Sequence, residues 1–226
     1  MSNLKINFSY EPKRFQGIFK KILILQRNKF FKFFKNEIFF DKNSQILDIG
    51  AANVDNDYDN NFIDNFPYKK NLTCLSDQKL DILKGKYPEI TIIEGDGRKM
   101  KFKSKSFDIV FSNAVLEHVG SKYNQISFLK ECIRVSRKNI FIITPYRYFP
   151  IEMHTKIPLL HFLPIKIFRK ILQLFGEKFL SNETNLNLLT KTDLKNICIA
   201  LDLENYEIKF SYFLGFRSNL ILKVVL

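Results

Sequence analysis

The chain has 226 residues, with 36 Lys and Arg against 23 Asp and Glu, and a formal net charge of +13. That length carries one α/β domain with additions, and an apolar share of 46% excludes a disordered chain. The positive balance leaves two readings open: an anionic partner, whether nucleic acid or a lipid surface, or lysines spread over solvated faces.

Met1 to Pro12 is polar and has no apolar core of a secretory leader. Lysine or arginine interrupts every apolar run, so no membrane span is expected. Between residues 15 and 40, Phe15, Ile18, Phe19, Ile22 and Leu23 recur at helical spacing among Lys20, Lys21 and Arg27. Phe30, Phe31, Phe33 and Phe34 continue that face, and Asp41-Lys42-Asn43-Ser44 makes a turn. Residues 1–44 thus read as an N-terminal helical extension, and 45–226 as the main domain.

The main domain alternates strands and helices. Strands are predicted at 45–50, 71–76, 90–94, 107–112 and 139–144, with helices near 78–86 and 121–137. The strand runs are apolar without alternation, which predicts a parallel sheet covered on both faces and joined by right-handed crossovers. Pro145 ends the fifth strand. Residues 146–189 then break the pattern with Pro150, Pro158 and Pro164 and a second basic amphipathic stretch. There Ile165, Ile167, Phe168, Ile171, Leu172 and Phe175 mix with Lys166, Arg169 and Lys170, and the segment reads as a lid-like insert over the site. A helix from Asp193 to Leu201 and two strands, Tyr206 to Phe213 and Arg217 to Val225, close the chain. The short Leu214-Gly215-Phe216 link makes these strands antiparallel.

Ligands of open α/β sheets bind beyond the carboxyl ends of the strands, and four strands here end in polar residues. Gly50 lets backbone approach a ligand, while Asp48 can hold an ammonium or satisfy turn amides. Asp77 can accept from ribose hydroxyls or cap the following helix. Asp96, between Gly95 and Gly97, is placed to accept from an exocyclic amine, and Asn113 ends the fourth strand. The set describes a pocket for a ribose-containing, amine-bearing ligand.

At these residues the chain resembles the class I S-adenosylmethionine-dependent methyltransferases, from about Gln45 to the C-terminus. ILDIG, EGDGR and FDIVFSNAVLEHVG carry the resemblance, and TPYRYFPIEMHTKIPLLHFLP is similar to a small bacterial subgroup with a Pro- and His-containing insert. The resemblance implies a doubly wound, mostly parallel seven-stranded sheet whose final strand is reversed. It implies S-adenosylmethionine as cofactor, with Asp48 and Gly50 at the methionine part. Asp77 or Ser76 would serve the ribose, Asp96 with Gly97 the adenine, and Asn113 the same cofactor site. Ala52 stands where the family's first motif usually has a second glycine, so it is expected to reshape that site.

His118 follows the fourth strand, where the resemblance places the acceptor beside the methyl group. Alignment of nucleophile and methyl can supply ~7–11 kcal/mol of such a barrier. A hydroxyl or acidic-carbon acceptor must also lose a proton, and His118 is the candidate base. The competing reading is that Glu117 and His118 only hold a loop. Glu152, His154 and His161 match no zinc spacing, so no metal is expected, and His154 is a secondary candidate for shaping the acceptor pocket.

No Asn/Asp-Pro-Pro-aromatic turn, Pro-Cys nucleophile or RNA-binding module is present, and nucleic acid is not the expected partner. The expected function is methyl transfer to a small-molecule or lipid-linked acceptor, at oxygen or carbon. Two other classes stay open: a cofactor-binding protein without catalysis, and a peripheral membrane protein docked by the two basic amphipathic stretches. Cys74, Cys132 and Cys198 are odd in number, far apart and in apolar contexts, and read as buried free thiols. The expected location is therefore cytoplasmic, extending to the inner membrane surface.

Overall fold

The computed structural model describes residues 13–55, 59–151 and 159–226. Seven strands form one sheet: β1 (Ile46–Ile49), β2 (Leu72–Ser76), β3 (Thr91–Glu94), β4 (Phe107–Asn113), β5 (Ser136–Pro145), β6 (Tyr206–Phe213) and β7 (Phe216–Val225). Their spatial order is β3-β2-β1-β4-β5-β7-β6. Strands β1 to β5 run parallel, and β7 is antiparallel to both β5 and β6. The expected seven-stranded, doubly wound sheet with a reversed last strand is the one found. Chain order reverses between β1 and β4, which opens a crevice at their carboxyl ends.

Among the described residues there are six α-helices: α1 (Lys13–Glu37), α2 (Asn61–Asn65), α3 (Asp81–Lys86), α4 (Lys122–Val135), α5 (Ile165–Leu174) and α6 (Lys191–Ala200). On one face Phe30 and Phe34 of α1 and Ile38 just past it pack with Phe62, Ile63 and Leu83 against Ile46, Cys74, Ile109, Phe111 and Phe141. On the other, Phe128, Leu129, Leu194 and Ile197 of α4 and α6 cover Leu47, Leu75, Val110, Ile140 and Ile142. Successive residues of β1 and β4 therefore bury on opposite faces, which is why their sequences are apolar without alternation.

Helix α1, which lies within the N-terminal helical extension expected at 1–44, packs Phe30 and Phe34 into the core. The Phe34 ring meets Phe62, Phe111 and Phe141 edge-on at centroid distances of 5.1, 5.6 and 5.4 Å. Farther along the helix, Glu37 receives Lys209 Nζ at 2.8 Å and Lys223 Nζ at 3.1 Å, tying α1 to β6 and β7. Phe15, Ile18, Phe19 and Ile22 lie outside the described side chains.

Other departures are local. Helix α2 was not expected, since five residues carry too little periodicity to read. Helix α3 starts at Asp81, and before it Ser76 Oγ accepts the Gln78 N–H at 3.3 Å. Strand β5 begins directly at Ser136, whose hydroxyl donates to the Asn139 carbonyl at 2.9 Å. The insert contains α5 and has its own small core of Phe168, Leu172, Leu186 and Leu188. The three cysteines are free and buried. Among the described residues no helix is long and apolar enough to cross a membrane.

Phe34 is fully buried, whereas Phe39, just past the helix, is 85% exposed. Phe34→Ala should cost about 3–5 kcal/mol in urea unfolding, and Phe39→Ala less than about 0.5 kcal/mol. Equal losses would contradict the placement of α1 on the sheet.

Candidate cofactor site

A cleft of ≈ 410 Å³ opens at the carboxyl ends of β1 and β4. Its walls come from three places: Arg27, Phe30 and Phe31 of α1, residues 48–51 at the end of β1 and just past it, and residues 59–62 at the start of α2. Phe111 and Asn113 of β4 complete it.

Asp48 ends β1 and is 6% exposed. Burial pushes its carboxyl up to about 7, opposed by the Arg27 guanidinium. A carboxyl in that state gains most from a cation placed beside it. Gly50 turns the chain with φ +96°, and its N–H donates to the Leu75 carbonyl at 2.8 Å. A Cβ there would lie 2.1 Å from Val115 Cγ2, so the position needs glycine for backbone and space alike.

Ala52 keeps the loop closed without the usual second glycine. Its N–H donates to Asn60 Oδ1 at 3.0 Å, and Asn60 Nδ2 donates back to its carbonyl at 2.8 Å. Asn60 is buried, so this two-way latch is shielded from water.

Asp77 is exposed at the end of β2. It does not cap α3, whose first residue follows Leu80 with no side-chain cap; instead the Ile82 N–H donates to Asn53 Oδ1 at 2.9 Å. Asp96 is gripped by Arg98, which donates through Nε and Nη2 at 2.6–3.0 Å and through its backbone N–H at 2.8 Å. These bonds hold the Asp96 carboxyl below its ordinary range. Arg98 Nη1 also donates to the Val119 carbonyl at 3.2 Å, joining the turn after β3 to the loop after β4. Gly97 serves packing: a Cβ would stand 2.7 Å from the Phe128 ring of α4.

After Asn113 the chain turns at Ala114, φ 58°, whose N–H donates to the Ile143 carbonyl at 2.9 Å. His118 is half-buried beyond that turn, with Nδ1 2.7 Å from the Asn185 carbonyl and Nε2 3.8 Å from Glu117 Oε1. Glu117 is fully buried, and its Oε2 accepts from Thr144 Oγ1 at 2.9 Å. The returning limb of the insert clasps this loop: the Asn187 N–H donates to the Glu117 carbonyl at 2.7 Å, and its Nδ2 to that of Gly120 at 3.0 Å.

The structure thus brings Asp48, Gly50 and Asn113 onto one cleft and leaves Asp77, Asp96 and His118 on the loops beside it. Arg27 and Asn60 were not anticipated. Arg27 was legible in one respect, since it precedes Phe30 and Phe31 by three and four residues and so shares their buried helix face. His161 is buried with Nε2 2.6 Å from the Phe149 carbonyl, while Glu152 and His154 lie outside the described residues. Among the described residues no cluster suited to a metal ion occurs.

This architecture is a doubly wound α/β fold with a crevice at the carboxyl ends of its central strands. Residues 58–144 match the family model for a methyltransferase domain, and the seven-stranded sheet is the fold of the class I S-adenosylmethionine-dependent methyltransferases. The cofactor of that family is S-adenosylmethionine. Among solved structures, the fold is similar to magnesium protoporphyrin IX methyltransferase from Synechocystis PCC 6803 with bound SAH. The TM-score is 0.59 at 12% identity, covering 97% of this chain and 90% of that one. It is equally similar to a SAM-dependent methyltransferase from Thermotoga maritima, with TM-score 0.59 at 12% identity over 97% and 96% of the two chains. No curated protein matches the chain significantly.

The Asp48 carboxyl carries a pH prediction for the cofactor-free protein. Its folded value of about 7 lies above the 3.8 of an ordinary aspartate. The proton is therefore held more tightly in the folded state, and this contribution to stability is full below pH 4 and lost as pH rises through 7. Asp48→Asn should be stabilised relative to wild type at pH 8, by up to about 4 kcal/mol, with the gap closing toward pH 4. Guanidinium unfolding at several pH values checks this, and a constant gap would refute it.

Proposed function

We propose that the protein transfers the methyl group of S-adenosylmethionine to oxygen or an acidic carbon of a small-molecule or lipid-linked acceptor, with His118 accepting the proton. The observation that carries the reading is the orientation of His118. A carbonyl oxygen only accepts, so the nitrogen facing Asn185 carries a proton and Nε2 is left as the acceptor. The buried Glu117 carboxyl on the Nε2 side can then balance the charged ring.

The cofactor, when bound, supplies a methyl group on a sulfonium. The chain's own residues fit its other groups. Asp48 and Arg27 offer an anion and a cation to the amino and carboxyl groups of the methionine part. Gly50, Ala52 and Asn113 shape the passage between them. Asp77, with Ser76 beside it, is assigned to the ribose, and Asp96 with Gly97 to the adenine. Arg98 holds the Asp96 carboxylate in place, so its hydrogen-bonding edge is set before a ligand arrives.

Two variants separate binding from chemistry. Asp48→Asn should weaken calorimetric affinity for the demethylated cofactor by about 10- to 100-fold, the worth of a hydrogen bond to a charged group. His118→Ala should leave that affinity unchanged while lowering single-turnover methyl transfer by about 10²–10⁴-fold, measured on phenolic and acidic-carbon acceptors with and without an attached lipid. Joint loss of affinity and turnover in His118→Ala would make the histidine a loop anchor and end its assignment as base.

A further inference from the structure

Helix α5 has more apolar surface than the core takes up. Phe168 and Leu172 are buried against Leu186 and Leu188. Ile167 and Leu174, seven residues apart and thus on one side of the helix, face solvent, with Leu174 79% and Phe175 73% exposed. Exposed Lys166 and Lys170 border this second stripe. The stretch before α5 adds exposed Leu159, Phe162 and Leu163. Single exposed apolar residues are ordinary, but this many within one short insert mark an interaction surface.

The tip of the β6–β7 hairpin repeats the pattern. Leu214 is 79% exposed, with Tyr212 and Phe216 also outward and Arg217 beside them. The two features are linked: Phe149 of the insert lies 6.3 Å from Phe213, and Tyr148 packs edge-on against Phe162 at 5.4 Å. Topology puts both at the same end of the sheet. The insert leaves at Pro145 and returns at Leu189, which bridges to Tyr146, and the Tyr146 N–H donates to Ser218 at the base of the hairpin tip. That end also holds the cleft.

We infer that this end of the molecule docks on an anionic lipid bilayer through the outer stripe of α5 and the β6–β7 tip. The chemistry of the patch selects the occupant. Aliphatic and aromatic tips partition into the boundary between headgroups and acyl chains, and the bordering lysines reach anionic headgroups. A nucleic acid would reward the lysines but gain nothing from Leu174, Phe175 and Leu214. The chain's +13 charge draws the protein to the same surface. The inference does not rest on the proposed chemistry; it would place the cleft beside a bilayer whatever the acceptor.

The test is co-sedimentation of the full chain with phosphatidylcholine vesicles, with and without phosphatidylglycerol, at low and high salt. Wild type should sediment with the mixed vesicles, weakly with the neutral ones, and less at high salt. The pairs Leu174→Glu with Phe175→Glu, and Lys166→Glu with Lys170→Glu, should each lower partitioning at least about tenfold. Their affinity for the demethylated cofactor should stay at the wild-type value, which also shows that they fold. Wild type remaining in the supernatant would overturn the inference. So would both variants sedimenting like wild type, or a dimer of wild type that the apolar variant dissolves in light scattering.

Discussion

The site depends on α1 being held to the sheet, and the aromatic contacts of Phe34 hold it there. Phe62 lies flat on Phe111 at 3.8 Å, and Phe34 meets both edge-on. Edge-on and offset contacts suit the ring quadrupoles, so the three rings lock α1, α2 and β4 in one relative position. Two ends of the cleft follow from that lock. Phe30 and Phe31 sit one turn before Phe34, and Arg27 one turn earlier still, so fixing Phe34 also fixes the cation opposite Asp48. On the sheet side, Phe111 is two residues before Asn113.

The same arrangement accounts for the state of Asp48. A carboxyl at the end of a central strand would be hydrated if the crevice were open. With α1 across it, desolvation outweighs the Arg27 charge and the proton is retained to about pH 7. The fold thus keeps a strained electrostatic position at the site and offsets it with aromatic packing elsewhere. A ligand bearing an ammonium relieves the strain, so Asp48 is more use to the bound protein than to the empty one.

The parallel part of the sheet was legible because β1 to β5 carry apolar runs ended by Gly, Pro, Asp or Asn, and covered strands leave that trace. The closing hairpin was legible in the same way from its short glycine link. The site was legible only in part. Asp48, Gly50 and Asn113 end strands, and strand ends can be read one at a time. Asn60 could not be read, because its meaning lies in both polar groups of Ala52 eight residues earlier and nothing in a row of asparagines marks one as the latch.

The loop after β4 shows how the returning limb of the insert reaches the site. That limb adds no strand to the sheet, but Asn185 and Asn187 supply polar groups to His118, Glu117 and Gly120. Gln125 of α4 adds a second tie, donating from Nε2 to the Leu116 and Asn187 carbonyls at 3.2 and 3.0 Å. Backbone carbonyls that orient a ring are themselves fixed only if their own segment is anchored. Leu186 and Leu188, alternating with the two asparagines, provide that anchor by packing on α5. The orientation of His118 therefore runs back through Asn185 to the hydrophobic contacts of α5, so a helix outside the sheet helps decide which imidazole nitrogen carries the proton.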